Sequence, residues 1–199
     1  MSALPNLVLA SASPRRRELL GGLGVRFTVR SVDVDETPRN GEPPRDYVGR
    51  LAVEKAEARA HPGEIVLAAD TTVVLDGEIL GKPRDPDEAR WMLARIAGRE
   101  HTVFTGVALW EPGRDRRACG IETSRVRIAS LDEGWIAWYV ATGEPLDKAG
   151  SYAVQGLGAL FVEEVHGNYT NVVGLPLPLV DRLFRDLGYD LRDFRSPRP

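Results

Sequence analysis

The chain has 199 residues, 43% of them hydrophobic and 28% charged, with a formal net charge of −3. That length supports a real core in one large domain or two small ones, and the acidic balance speaks against a general nucleic-acid coat. A single cysteine, Cys119, leaves no partner for an intrachain disulfide and no cysteine cluster for a metal. With no charged-then-apolar leader and no apolar run of spanning length, the sequence reads as cytoplasmic with no membrane partner.

"LVLA" (7–10) reads as a short buried strand, and Ser11–Ser13 lead from it into a helix that starts at Ser13 and Pro14 and runs to about Leu23, where Gly24 stops it. "RFTVRSV" (26–32) alternates as a strand, and 36–46, rich in proline, glycine and charge, reads as a mobile surface loop. Residues 45–60 place Val48, Leu51, Ala52, Ala56 and Ala60 on one helical face, with Asp46 as candidate N-cap. "EIVLAAD" (64–70) is an apolar run ending on an acid, and 71–80 is a strand, an Asp76-Gly77 turn and a strand. A helix over 86–97 follows, capped by Asp85 or Asp87. Next come two long strands around a turn near Gly113–Arg117, then a helix from Asp132 to about Thr142. A glycine-rich loop, the strand "LFVEEVHG" and a last helix from about Leu177 to Leu187 complete the order. Strands and helices alternate but hairpins interrupt them, which points to an α/β fold with a mixed sheet. One domain over 1–192 is expected, and 193–199, polar and proline-rich, is expected to fray.

Four stretches carry candidate chemistry. "SASPRRRELL" (11–20) puts Arg15, Arg16 and Arg17 in a helical first turn that ordinarily favours acids. A strand, a small-residue turn and a helix N-terminus form an anion site, and arginine forks match phosphate oxygens in pairs, so a bound polyanion would make the placement favourable; solvated arginines are the plain alternative. Asp70, at the end of an apolar strand, suits a divalent cation or a positioned water, or else a hairpin cap. Lys82, in "GKPRDP", is placed as a point charge for phosphate. The P-loop likeness of that stretch fails on glycine spacing and on Pro83. Lys55 sits in a helix and reads from pattern alone as a solvated face. "EPLDKAGSYAVQGLG" (144–158) is more elaborate than a connector needs, and the Gln155 amide is of the kind that reads a base edge, or else bonds backbone.

Other signals are negative. No Gly-x-Ser-x-Gly supports Ser11 or Ser13 as a nucleophile, and His61, His101 and His166 have no metal-like spacing and read as structural. Trp91, Trp135 and Trp138, at helical spacings, read as core rather than base-stacking platforms.

In this order the runs "LASASPRRRELL", "VDVDETP", "RLAVEKA", "AADTTVVLDGEILGKPRD", "GREHTVFTGVAL", "EPLDKAGSYAVQGLGALF" and "NYTNVVGLPL" resemble the Maf family, once called septum formation inhibitors, over nearly the whole chain. The resemblance implies a mixed, bent sheet with flanking helices, in two lobes around a cleft, similar to the inosine-triphosphate pyrophosphatases. It implies hydrolysis of a nucleoside triphosphate between the α and β phosphates, a divalent cation (Mg²⁺ or Mn²⁺), and a homodimer. Within it, Asp70 matches the catalytic base, and Arg15, Thr71 and Gln155 match positions assigned to specificity. Ser13, Arg16, Glu36, Lys55 and Lys82 match other site residues, with Glu36 and Asp70 as metal ligands. Thr71 with Gln155 resembles the branch acting on dTTP and UTP. The 7-methyl-GTP branch, which tends to carry Ser-Glu-Gly where this chain has Val154-Gln155-Gly156, and a non-catalytic nucleotide-binding regulator of septum formation are the alternatives. Nucleic acid is not an expected partner. Ala12 stands where the family more usually has glycine, and Arg17 extends the arginine pair.

Overall fold

In the computed structural model, which describes residues 4–196, the order is β1 (Asn6–Leu9), α1 (Pro14–Gly22), β2 (Thr28–Val29), α2 (Pro44–Glu57), β3 (Glu64–Leu75), β4 (Glu78–Leu80), α3 (Pro86–Ile96), β5 (Glu100–Glu111), β6 (Arg116–Ile128), α4 (Glu133–Ala141), β7 (Val162–His166), α5 (Tyr169–Val173) and α6 (Leu177–Asp186), with short 3₁₀ turns between some of them. The strands form one seven-stranded sheet, ordered β2-β1-β3-β5-β6-β7, with β4 paired to β3. β1 runs parallel to β2 and β3, whereas β3–β4 and β6–β7 are antiparallel. The fold is therefore α/β with a mixed sheet, as the interrupted alternation of elements requires.

The chain divides into two compact units. The first holds the described residues up to Asp70, Thr105–Glu122 and those from Gly174 onward; the second holds Thr71–Phe104 and Thr123–Val173. In the first unit, the period of two along a strand separates two apolar clusters. Leu7, Leu9, Ile65, Leu67 and Ala69 join Leu179, Val180, Leu183 and Phe184 of α6 in one cluster. Val8, Ala10, Val66, Ala68 and Ala108 join Ala52 and Ala56 of α2 in the other. The α2 side is built from small residues. A Cβ at Gly106 would lie 2.2 Å from the Val48 carbonyl oxygen, so only glycine lets α2 come this close to β5.

In the second unit Ala89, Met92, Leu93 and Ile96 of α3 pack with Ile136, Tyr139 and Val140 of α4, Tyr152 and Phe161. Both helices are capped as expected for an N-terminal aspartate: Asp85 accepts from the Glu88 N–H and Asp132 from the Trp135 N–H, each at 2.8 Å. Asp76 (φ 53°) and Gly77 (φ 84°) make the left-handed pair that a two-residue hairpin needs between β3 and β4.

Several expectations change. Residues 64–70 and 71–75 are one unbroken strand rather than two elements, and only Thr28–Val29 of the 26–32 stretch pairs. Pro43, with no side-chain bond, takes the N-cap place of α2, and Asp46 lies within its first turn, where its charge suits the dipole. The 36–46 segment is exposed but tied down: Arg50 grips Glu42 with two bonds, Nε–Oε1 at 2.6 Å and Nη2–Oε2 at 2.7 Å, and this holds the Glu42 carboxyl at about 2. Residues 193–196 do not fray. Phe194 is buried edge-on against Phe184 at 5.3 Å, and Val25 bridges to Arg195; 197–199 lie outside the described residues. Trp91, Trp135 and Trp138 are not core but exposed. The inward stripes of α3 and α4 are filled by the residues named above, so Trp135 and Trp138 stack edge-on with each other at 5.4 Å and Trp91 lies under the Arg95 guanidinium.

His101 is structural. It is buried on β5, and its Nε2 lies 2.8 Å from the Tyr152 hydroxyl. Burial pushes its pKa from 6.5 down to about 4. The unfolded chain therefore binds the extra proton first, and the stability tied to neutral His101 is present above pH 6.5 and is lost as pH falls toward 4. Going from pH 7 to pH 4 should shrink the stability gap between the parent and His101→Phe by about 3 kcal/mol, measured by denaturant unfolding at each pH. A gap that stays constant over this window would show that His101 is not held neutral.

Candidate active site

Strand alternation places Asp70 on the face of Val66 and Ala68, the face that α2 covers. On α2 the spacing i, i+3, i+4 puts Lys55 beside Ala52 and Ala56 on the helix side turned to that strand. The two side chains meet: Lys55 Nζ lies 2.7 Å from Asp70 Oδ1 and 2.6 Å from Glu36 Oε1. Lys55 (9% exposed) and Asp70 (8%) are buried, while Glu36 reaches in from an exposed loop. The plain reading of Lys55 as a solvated helix face is thus overturned, because the face it occupies is the buried one. Tyr47, two turns earlier on α2, donates its hydroxyl to the Glu36 carbonyl at 2.9 Å and so anchors the loop that carries the acid. Burial, with Asp70 and Glu36 nearby, pushes the Tyr47 hydroxyl up to about 12, so it stays a donor.

The N-terminus of α1 is built as the Ser-Pro pattern predicts. Ser13 is the N-cap, its hydroxyl accepting from the Arg16 N–H at 3.4 Å, and no acid occupies the first turn. Ser11, which is buried, organises the turn in front of it by accepting from the Ser13 N–H at 3.2 Å and from Arg16 Nη1 at 3.3 Å. Arg16 Nε donates to the Gly174 carbonyl at 2.8 Å, which fixes its fork. Desolvation lowers the pKa of Arg16 against the opposing pull of Asp70 and Glu36, so the guanidinium stands within electrostatic reach of both carboxylates. Arg15 is half-buried in the same turn. The first unit therefore brings Arg15 and Arg16, a helix N-terminus, Lys55 and two carboxylates into one charged group.

The other candidates belong to the second unit. Thr71, half-buried, follows Asp70 directly on β3; Lys82 is exposed just beyond β4. Gln155 is half-buried at the start of a 3₁₀ turn, Gly156–Leu160, and its side chain makes no capping bond there. Sequence reasoning placed Ser11 in the small-residue turn before the helix and rejected it as a nucleophile without giving it a partner, and it passed over Tyr47. The Ser-x-Ser turn before a helix start was a signal for the first, and the Tyr47, Leu51, Lys55 spacing was one for the second.

Among the described residues no helix is long and apolar enough to cross a membrane. The sequence profile described as "Maf-like protein" matches residues 6–187. A curated relative from Anaeromyxobacter dehalogenans (strain 2CP-C) is 56% identical over 192 residues, covering 94% of this chain and 96% of the relative. One from Myxococcus xanthus (strain DK1622) is 58% identical over 173 residues, covering 86% and 87%, and one from Syntrophus aciditrophicus (strain SB) is 52% identical over 184, covering 92% and 90%. All three carry the name dTTP/UTP pyrophosphatase. On the profile match over 6–187 and the near full-length relatives, this chain belongs to the Maf family.

Proposed function

We propose that the protein is a nucleoside triphosphate pyrophosphatase that hydrolyses dTTP and UTP to the monophosphate and pyrophosphate. The observation that carries the reading is the buried Lys55 joined to Asp70 and Glu36 beside the arginine-bearing start of α1. Cleaving a phosphoanhydride asks mainly for charge neutralisation and an aligned water. Arg15, Arg16 and the positive end of the α1 dipole neutralise the triphosphate, with Ser13 shaping the turn. Asp70 orients the attacking water and takes its proton. The relatives' names support the pyrimidine substrates.

Two carboxylates already converge on one cation, the Lys55 ammonium, so the donor set fits a hard divalent ion. Among the described residues no group of three or more His, Cys, Asp or Glu is placed for a metal. A hard divalent ion such as Mg²⁺ is commonly held by one or two carboxylates together with substrate phosphates. Glu36 and Asp70 would hold Mg²⁺ or Mn²⁺, which when bound supplies charge neutralisation at the phosphates. Thr71 and Gln155 read the pyrimidine. A homodimer in the cytoplasm completes the reading; the exposed lone Cys119 suits a reducing compartment.

The test incubates the protein with Mg²⁺ or Mn²⁺ and dTTP, UTP, CTP, dGTP, ATP or 7-methyl-GTP, and assays pyrophosphate and orthophosphate separately. Pyrophosphate from dTTP and UTP should exceed that from the purines by about tenfold or more, the margin that one good side-chain pairing with a base edge, worth about 1–3 kcal/mol, supplies. Nucleotide binding without release from any of them would overturn the enzyme in favour of a nucleotide-binding regulator.

A further inference from the structure

The stretch that carries Gln155 is clamped from both sides by two residues of the same unit that no role yet covers. Tyr139, on α4, accepts at its hydroxyl from the Ala153 N–H at 3.1 Å and donates to Glu144 Oε1 at 2.8 Å. Glu144, in the 3₁₀ turn Glu144–Asp147, also accepts from the Gly158 N–H at Oε1 (2.9 Å) and from the Leu157 N–H at Oε2 (3.0 Å). One carboxylate thus takes three donors. Ala153 is held two residues before Gln155, and Leu157 and Gly158 two and three residues after it.

The backbone is shaped to this clamp. Gly156 has φ +68°, and a Cβ there would lie 2.5 Å from Glu144 Oε2; a Cβ at Gly158 would lie 2.2 Å from the Ala153 carbonyl oxygen. The Tyr139 ring is fixed edge-on against Phe161 at 4.9 Å. Burial alone would raise the Glu144 pKa, but the Leu157 and Gly158 N–H groups and the Tyr139 hydroxyl outweigh it and the net shift is downward. The clamp is therefore ionised. A connector needs no such apparatus, because loops ordinarily satisfy their amides with water. What the clamp spares is the Gln155 side chain, which the turn does not use as its cap.

We infer that Glu144, acting with Tyr139, is a positioning residue that presents Gln155 for base recognition. This rests on the reading of Gln155 as the residue that reads the pyrimidine. Glu144→Gln keeps the size but exchanges one acceptor for a donor facing N–H or O–H groups. Tyr139→Phe keeps the ring and removes both hydroxyl bonds. Each should lower the kcat/KM ratio of dTTP over dGTP by about tenfold, chiefly through the KM for dTTP, while kcat at saturating dTTP changes less than about threefold. Glu144→Asp should restore part of the ratio. Combining Glu144→Gln with Gln155→Ala should add little to the effect of Gln155→Ala alone, the non-additivity expected of two residues acting as one unit.

Hydrogen exchange should speed up at the Ala153 amide in Tyr139→Phe and at the Leu157 and Gly158 amides in Glu144→Gln, which confirms that the clamp was opened. With the clamp open, an unchanged ratio in Glu144→Gln beside a reduced one in Gln155→Ala would overturn the positioning role and leave Gln155 as a base reader. An unchanged ratio in Gln155→Ala would overturn both. Equal losses on dTTP and dGTP in the clamp variants would show a structural support only, and also overturn the inference.

Discussion

Asp70→Asn should fold like the parent and release pyrophosphate from dTTP at least ~10²-fold more slowly. The substitution is isosteric, and the reason it spares the fold is visible in the charge arrangement. Lys55 contacts both Asp70 and Glu36, so removing one carboxylate's charge leaves the buried ammonium with the other. No unpaired buried charge results, and that is the condition under which such a change becomes strongly destabilising. The chemistry has no such reserve. The substituted amide can still accept a hydrogen bond from a water, but it cannot take the proton, and it is a poorer ligand for a hard cation. The loss should appear in kcat, with the KM for dTTP changing little, because in the proposed reading the phosphates are held by the arginines of α1 and not by Asp70. Unfolding curves that superimpose on the parent's, together with steady-state pyrophosphate release, give the check. Turnover near the parent's would remove Asp70 from the reaction.

What was legible in the sequence is the apolar run over 64–70 that ends on Asp70. Lys55 was not: the pattern gathered Val48, Leu51, Ala52, Ala56 and Ala60 on one helical face and left Lys55 to a solvated one, whereas the structure turns Lys55 inward beside Ala52 and Ala56. The helix starts at Ser13, Asp85 and Asp132 were readable, because a cap is a local bond between near neighbours. Contacts far apart in sequence were not readable. Nothing local announces that Glu36 comes back onto Lys55, that Arg16 ends on the Gly174 carbonyl, or that Phe194, inside a polar and proline-rich stretch, packs on Phe184 and Tyr189. The tryptophans misled for a related reason: helical spacing says which residues share a face, not which face is buried. On α4 Ile136, Tyr139 and Val140 take the inward side and leave Trp135 and Trp138 outside.

The second large effect is expected at Lys55. With Met in its place the apolar stem is kept and helix propensity is nearly unchanged, so the difference reports the ammonium itself. Its loss leaves Asp70, buried, and Glu36, near it, without the cation they share. Removing one partner of a buried ion pair is costly. Glu36 remains in water, so the figure falls below that for a fully buried pair, and the metal-free variant should lose about 2–3 kcal/mol of stability. The same geometry predicts how the loss is recovered. If the two carboxylates hold a divalent ion, Mn²⁺ or Mg²⁺ binds the folded variant and not the unfolded chain, and at a hundred times its dissociation constant returns about 2.7 kcal/mol. The parent, in which the ammonium already neutralises the pair, should gain less from the same ion. Denaturant unfolding of parent and variant, each with chelator and with excess Mn²⁺, separates these terms without reference to turnover. A variant as stable as the parent in chelator would show that the Lys55 contacts contribute nothing to the fold. A variant that is destabilised yet indifferent to Mn²⁺ would remove Glu36 and Asp70 as the metal ligands. Rescue confined to the variant would instead mean that lysine and metal compete for one anionic seat, and that the ammonium is the counter-ion of the resting site.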